Sequence, residues 1–321
     1  MTIAEKNSLT DAEIAAAVTA AYTAHRSDTG GANASYIPYL ASVDSSLFAV
    51  AVVTVDGSVH VAGDAHVDFA IESISKLTTM ALAMSQVGID AFHSKVGADP
   101  TGMAFNSVMA LEMHSDLPLS PMVNAGAMAS TSLVVANDAE DRWRQILKMQ
   151  GDFTGRDLQM SDVVNDSEQE TNFHNRAIAW LLYGGGAMHC DPMEAVEIYT
   201  RQCSTMISAV DLATMGATLA FDGVNPVTGA TVVDSELVPH LLAEMMMEGM
   251  YTRSGDWAYT VGLPGKSGVG GGVVAVAPGQ LAIAAFSPPL DEAGNSVRAQ
   301  AAIADVATAL GLGLFRSGSK P

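Results

Sequence analysis

Alanine-rich sequence runs from Asp11 to about His25 behind Thr10 and Glu13, whose spacing is that of a capping box, and predicts a first helix. A Gly30-Gly31 break leads through Tyr36-Ile37-Pro38 to two strand-like stretches, 47–55 and 58–62, on either side of Asp56-Gly57. That dipeptide between apolar runs is a strong hairpin signal. The pattern turns helical at 73–86 and stays mostly helical to about residue 250, over 124–135, 175–183, 193–204, 209–221 and 236–249. Strand character returns at 272–277 and 281–287, joined by Pro278-Gly279, and a last amphipathic helix is predicted over 296–312.

This order of helix, hairpin, helical insertion, hairpin and helix predicts an α+β fold: one antiparallel sheet covered by the terminal helices beside an all-helical lobe. No internal repeat or linker divides the chain. A single domain over 1–321 is expected, with a sheet lobe of about 1–72 and 256–321 and a helical lobe of about 73–255. A cleft between the lobes is the natural place for a small-molecule site.

Composition narrows the classes. The 321 residues are 49% hydrophobic and 16% charged, ample for a large buried core. No unbroken apolar stretch reaches the about 18 residues of a membrane span, and Met1-Thr2-Ile3-Ala4-Glu5-Lys6 lacks the apolar core of a secretory signal. A cytoplasmic protein is expected, and no further module is expected after Arg316. The 35 acidic and 15 basic side chains give a net charge of −20, which repels phosphate backbones and anionic lipids and argues against nucleic-acid or membrane partners. Cys190 and Cys203 make neither a disulfide framework nor a metal quartet. The eight histidines show no metal-ligand spacing, so no metal is expected.

Three stretches carry candidate chemistry. In Ser73-Ile74-Ser75-Lys76 the serine needs a base to become a nucleophile, and on a helix a lysine three residues on shares its face. Burial would lower that lysine's pKa, and a helix start would supply N–H groups for an oxyanion. Alone the motif is common by chance and reads first as an exposed helical turn. Gly265-Lys266-Ser267-Gly268-Val269-Gly270-Gly271-Gly272 does not read as a phosphate loop, because the first glycine of that motif would fall at Thr260 and no helix follows. It reads either as a strand edge beside a nucleophile, its glycines admitting close approach of a ligand, or as a glycine-rich bend. In Pro121-Met122-Val123-Asn124-Ala125-Gly126-Ala127, Asn124 is a helix cap or a site amide. Glu168 and Asn175 lie one heptad apart, so two helical turns would place them on one face, where they suit an α-ammonium and α-carboxylate ligand or form a solvated face. Tyr199 and Tyr251 sit in apolar contexts that favour packed aromatics.

Taken together, these motifs resemble the bacterial and mitochondrial glutaminase family, which shares the fold of serine β-lactamases and penicillin-binding proteins. The likeness runs from Tyr36-Ile37-Pro38 to Gly294-Asn295-Ser296 and includes Phe105-Asn106-Ser107, Ser167-Glu168, Asn175-Arg176, Gly249-Met250-Tyr251 and the long glycine-rich stretch ending at Gly272. The resemblance implies a β-lactamase/transpeptidase-like fold, Ser73 as nucleophile and Lys76 as base. It implies an oxyanion hole of the Ser73 and Val269 N–H groups, and a glutamine pocket lined by Asn124, Glu168, Asn175, Tyr199 and Tyr251 with Tyr36 at its edge. Tyr199 would also assist proton transfer, and Lys266 would set the electrostatics behind Ser73. The implied reaction is hydrolysis of L-glutamine to L-glutamate and ammonia through a γ-glutamyl-serine, with no cofactor, in a homodimer or homotetramer.

One residue departs from the pattern. The family usually has Gln before the nucleophile, and this chain has Glu72, expected to pair with the substrate ammonium or a lysine, or to repel the substrate carboxylate. Two other readings stay open on sequence alone: a β-lactam-interacting acyl-serine enzyme, and a silent relative that binds glutamine.

Overall fold

The capping box forms: Thr10 Oγ1 accepts from the Glu13 N–H at 3.3 Å, and the Glu13 carboxylate accepts from the Thr10 N–H at 3.0 Å. It opens the helix Asp11–His25 of a computed structural model that describes residues 9–315. Residues 1–6, read above for a leader, and the chain from Arg316 onward lie outside the described residues.

Eight strands are found among the described residues: β1 (Ala49–Thr54), β2 (Val59–Gly63), β3 (Phe69–Ala70), β4 (Gln159–Met160), β5 (Thr205–Ile207), β6 (Gly265–Ser267), β7 (Gly272–Ala277) and β8 (Leu281–Phe286). Both predicted hairpins form and join in one five-stranded sheet of order β2-β1-β8-β7-β6. The seam is β1 on β8, antiparallel from Ala49 opposite Phe286 to Thr54 opposite Leu281. Alternate side chains divide between two cores. Val50, Val52, Val273, Ile283 and Ala285 meet Ile14 and Val18 of the first helix and Ile303 and Val306 of the last, Val297–Leu310. Ala51, Val53, Val274, Val276 and Phe286 face the helical body. With both faces covered, these strands read as continuous apolar runs.

The second face is covered by the helix Ala209–Ala220, which lies within the range expected for a separate helical lobe. Gly216 makes this possible, since a Cβ there would sit 2.6 Å from the Ala282 Cβ and 2.7 Å from Val274 Cγ2. Absence of a side chain lets helix and sheet approach closely.

The remaining helices include three of eight residues or more that the pattern did not predict, Ile89–Val96, Ala139–Thr154 and Asp162–Thr171, and beside them lies a small second sheet of order β3-β5-β4. Among the described residues no helix is long and apolar enough to cross a membrane.

Candidate active site

The small sheet sets the position of Ser73. β3 pairs with β5, and the Ile71 N–H donates to Thr205 O at 2.9 Å, so the chain leaves the sheet at a fixed point. It then turns sharply: Glu72 has φ +52°, a left-handed conformation costly for a residue with a side chain. Ser73 is therefore not in the α-helix predicted over 73–86. It lies in a 3₁₀ turn, Glu72–Ile74, immediately before the helix Ser75–Val87. Ser73 is buried to 6% exposure.

The glycine-rich stretch packs on this turn. A Cβ on Gly268 would lie 2.8 Å from Ile71 O, and one on Gly270 would lie 2.2 Å from Ala70 O. The glycines thus admit the backbone of the turn that carries Ser73. Gly268 N–H donates to Gly272 O at 3.0 Å and closes the bend, while neither the Ser73 nor the Val269 N–H takes part in the turn, loop and cap bonds of the described residues. Lys266 and Ser267 lie on the edge strand β6.

Lys76 is completely enclosed. Its Nζ donates to Asn124 Oδ1 at 2.8 Å and to Met122 O at 3.4 Å, and three rings surround it at about 6 Å: Phe105, Tyr199 and Tyr251. Desolvation pushes its pKa down to about 8, against an opposite pull from Glu248 and Glu72. Asn124 is the hub. Its Oδ1 also accepts from Tyr199 Oη at 3.1 Å, and its Nδ2 donates to Asn175 Oδ1 at 2.9 Å. It starts the helix Asn124–Leu133, with its N–H on Phe105 O at 2.8 Å, and the cap position falls to Val123, so its side chain does not cap the helix.

Tyr251 comes from a second strained turn, with φ +54°. Its hydroxyl donates to Ser267 O at 3.2 Å and lies close to the Ser73 side chain. Burial pushes both the Tyr251 and Tyr199 phenols up, so each is a neutral donor. Lys266 lies behind Tyr251, its Nζ 4.5 Å from the ring centre and donating to Ser267 O and Gly249 O. Desolvation, reinforced by Lys76, holds it well below the usual lysine range.

Glu168 and Asn175 both reach the site, but not from one helix face. Glu168 is on Asp162–Thr171 and Asn175 on Phe173–Gly184, because Asn172, at φ −79° and ψ 28°, separates the two helices. Glu168 meets Glu72, and the two carboxyl groups are in hydrogen-bond contact. Glu72 also acts electrostatically on Lys76, a lysine being one of the partners expected of it; its contact with Glu168 was not expected. Tyr36, half exposed, stands near both carboxyls at the rim. It is held there through Ser167 Oγ, which accepts from the Tyr39 N–H at 3.1 Å.

Residues from nine chain segments thus converge. Sequence reasoning missed Phe105 as a wall of the lysine cage and Glu248, which accepts from the Thr101 N–H at 2.7 Å and acts electrostatically on Lys76 and Lys266. The Phe105-Asn106-Ser107 motif was a signal for the first; nothing local marks the second. A surface cavity of about 920 Å³, lined by Arg144, Lys148, Asp152, Arg156 and Thr231 among others, lies elsewhere. Its Lys148 and Arg156 are neutralised by Asp152 and Asp211.

Sheet, helical body and the turn carrying Ser73 and Lys76 define a protein of the β-lactamase-like fold, the class to which its structural neighbours belong. The family model described as Glutaminase matches residues 31–315. The chain belongs to the glutaminase family. It is 64% identical over 308 residues to a glutaminase of Mycobacterium ulcerans, covering 96% of each chain. It is 61% identical over 300 residues to glutaminase 1 of Shigella flexneri, covering 94% of this chain and 97% of that one. The solved structure of a probable glutaminase, ybaS, superposes with a TM-score of 0.95 at 59% identity, covering 96% of this chain and 100% of the other. That of Mglu in its tris and glutamate form superposes with a TM-score of 0.89 at 34% identity, covering 94% and 67%.

Proposed function

We propose that this glutaminase hydrolyses L-glutamine through Ser73. Neutral Lys76 accepts the Ser73 hydroxyl proton, directly or through Tyr251 Oη, as Ser73 Oγ bonds to the side-chain amide carbon. The Ser73 and Val269 N–H groups stabilise the oxyanion. The proton passes to the leaving nitrogen, the C–N bond breaks and ammonia departs. Water then adds to the γ-glutamyl ester, giving its proton to Lys76, which passes it to Ser73 Oγ as the C–Oγ bond breaks to release glutamate and restore the free serine. Neither half-reaction calls for a cofactor.

The observation that carries this reading is the desolvated lysine in the turn after a buried serine. A pKa of about 8 leaves about a tenth of the molecules with neutral Lys76 at pH 7, against far less than a hundredth for an ordinary lysine. Around it, Glu168 takes the α-ammonium group, and Asn124, Asn175, Tyr199 and Tyr251 line the pocket with Tyr36 at its mouth. Tyr199 acts through Asn124, which it holds, and Lys266 supports Tyr251 from behind.

Intact-mass spectrometry with a glutamine-mimicking electrophile is expected to place one adduct on Ser73. Ser73→Ala is expected to lose ammonia release while keeping ligand affinity; ammonia release by that variant overturns the reading. We also propose a cytoplasmic location, which suits the free cysteines Cys190 and Cys203. A homodimer or homotetramer is proposed too, supported by exposed Met109, Met113, Phe173, Trp180 and Tyr183. Sedimentation as a monomer at micromolar concentration overturns the oligomer.

A further inference from the structure

Glu72 and Glu168 are both buried, at 3% and 8% exposure. No donor from another group of the described residues reaches Glu72 Oε1 or Glu168 Oε1, both sealed from solvent. The glycine-rich bend walls Glu72 in: Cβ atoms on Gly268 and Gly270 would lie 3.3 and 3.2 Å from its side chain. Two carboxyl groups in hydrogen-bond contact, away from water, need a proton between them, because two adjacent unscreened anions repel strongly.

Resting on the glutaminase reading, we propose that Glu72 is a positioning residue that shares one proton with Glu168, aiming the Glu168 carboxylate at the substrate ammonium and sparing Lys76 the charge of an ionised Glu72. Glu72 is the proton's principal holder. Burial first, then the charge of Glu168, push it well above the usual carboxylate range. Burial pushes Glu168 up less far, to about 7, and the Glu72 hydrogen bond opposes that rise. The other groups facing the pair are Tyr199, Tyr251 and Cys203, each pushed up by burial and neutral, the neutral phenol of Tyr36 at the rim, and Lys76. Glu248 and Lys266 act through Lys76. Of these, Lys76 links the pair to the chemistry: an ionised Glu72 raises the pKa of Lys76 and keeps the base protonated. The proton on Glu72 is held, not consumed.

The test is the pH dependence of kcat and KM for ammonia release from L-glutamine, measured for wild type, Glu72→Gln and Glu72→Ala from pH 5 to 10. A glutamine donates like a protonated carboxyl and never ionises. Glu72→Gln is therefore expected to carry its alkaline limb at least one pH unit above that of the wild type. Glu72→Ala lacks the donor, so its KM is expected to rise at least tenfold with a smaller change in kcat, and Glu72→Gln to recover most of that KM. Superimposed limbs for wild type and Glu72→Gln overturn the proposal, and that comparison decides alone should Glu72→Ala fail to fold. A wild-type protein that releases no ammonia from glutamine overturns the glutaminase reading instead.

Discussion

Replacing Asn124 by aspartate keeps the shape of the hub and adds one charge. The acceptor for Lys76 Nζ at 2.8 Å and Tyr199 Oη at 3.1 Å remains, and the oxygen that replaces Nδ2 faces Asn175, whose amide can turn to donate. Two unit charges about 4 Å apart at an effective dielectric of about 20 interact by about 4 kcal/mol. At about 1.4 kcal/mol per pKa unit, that is a rise of roughly three units for Lys76. Starting from about 8, the lysine returns to or beyond its ordinary value. Lys76 must be neutral to accept the Ser73 proton, so kcat/KM at pH 8 is expected to fall by about 10²–10³. The acid limb of the profile is expected to move about three units upward, with activity recovering toward pH 10. Initial rates of ammonia release at subsaturating glutamine, from pH 6 to 10.5, measure this directly. Asn124→Ala is the control, lowering the rate without moving the limb upward. A folded Asn124→Asp variant whose limb coincides with that of the wild type would refute Lys76 as the base.

Two further outcomes follow from the packing around this hub. In Gly126→Ala the new Cβ meets Ser120 O at 1.9 Å and Ser120 C at 2.6 Å, backbone atoms that cannot swing aside. Stability is expected to fall by about 3 kcal/mol or more, with displacement of Asn124 lowering kcat; a urea midpoint equal to that of the wild type counts against it. Glu244 accepts from Ser120 Oγ at 3.1 Å, and desolvation, with Glu248 and Asp99, pushes its carboxyl up to about 8. Because the folded pKa is raised, Glu244 disfavours folding increasingly as pH rises from its unfolded value of 4.5 through 8. Glu244→Gln is expected to be more stable than the wild type at pH 8 by on the order of a few kcal/mol and equal to it below pH 4.5; chemical denaturation at both pH values checks this, and equal stability at pH 8 refutes it.

The parts of the fold visible in the chain are those whose burial is apolar and periodic. β7 and β8 have apolar positions throughout, and Thr10 with Glu13 marks the first helix to the residue. The helix Asp162–Thr171 buries only Val164 and Glu168, so its inward stripe is one apolar and one charged residue and leaves no hydrophobic period to detect. Missing its end at Asn172 put Glu168 and Asn175 on a common helix. Ser73, Lys76 and the glycine-rich stretch were legible because each is a short local pattern. The contact of Glu72 with Glu168 was not, since 72 and 168 meet only through the small sheet and the helix packing. Likewise Glu248 acts from beneath the lysine cage, where no motif points to it.

The seam between β1 and β8 also bears on how the molecule is made. Ala49 pairs with Phe286 and Thr54 with Leu281, so the first hairpin has no partner until the far end of the polypeptide has been synthesised. Contacts so distant in sequence are slow to form. During translation the β1–β2 hairpin must wait, apolar and with one edge open, while the helical residues emerge and collapse around Ala209–Ala220. Chains truncated before Leu281 would lack the central strand β8 and so never close the sheet. Assembly of the glycine-rich bend against the Ser73 turn is expected to wait for β8, so that the site is completed late in folding.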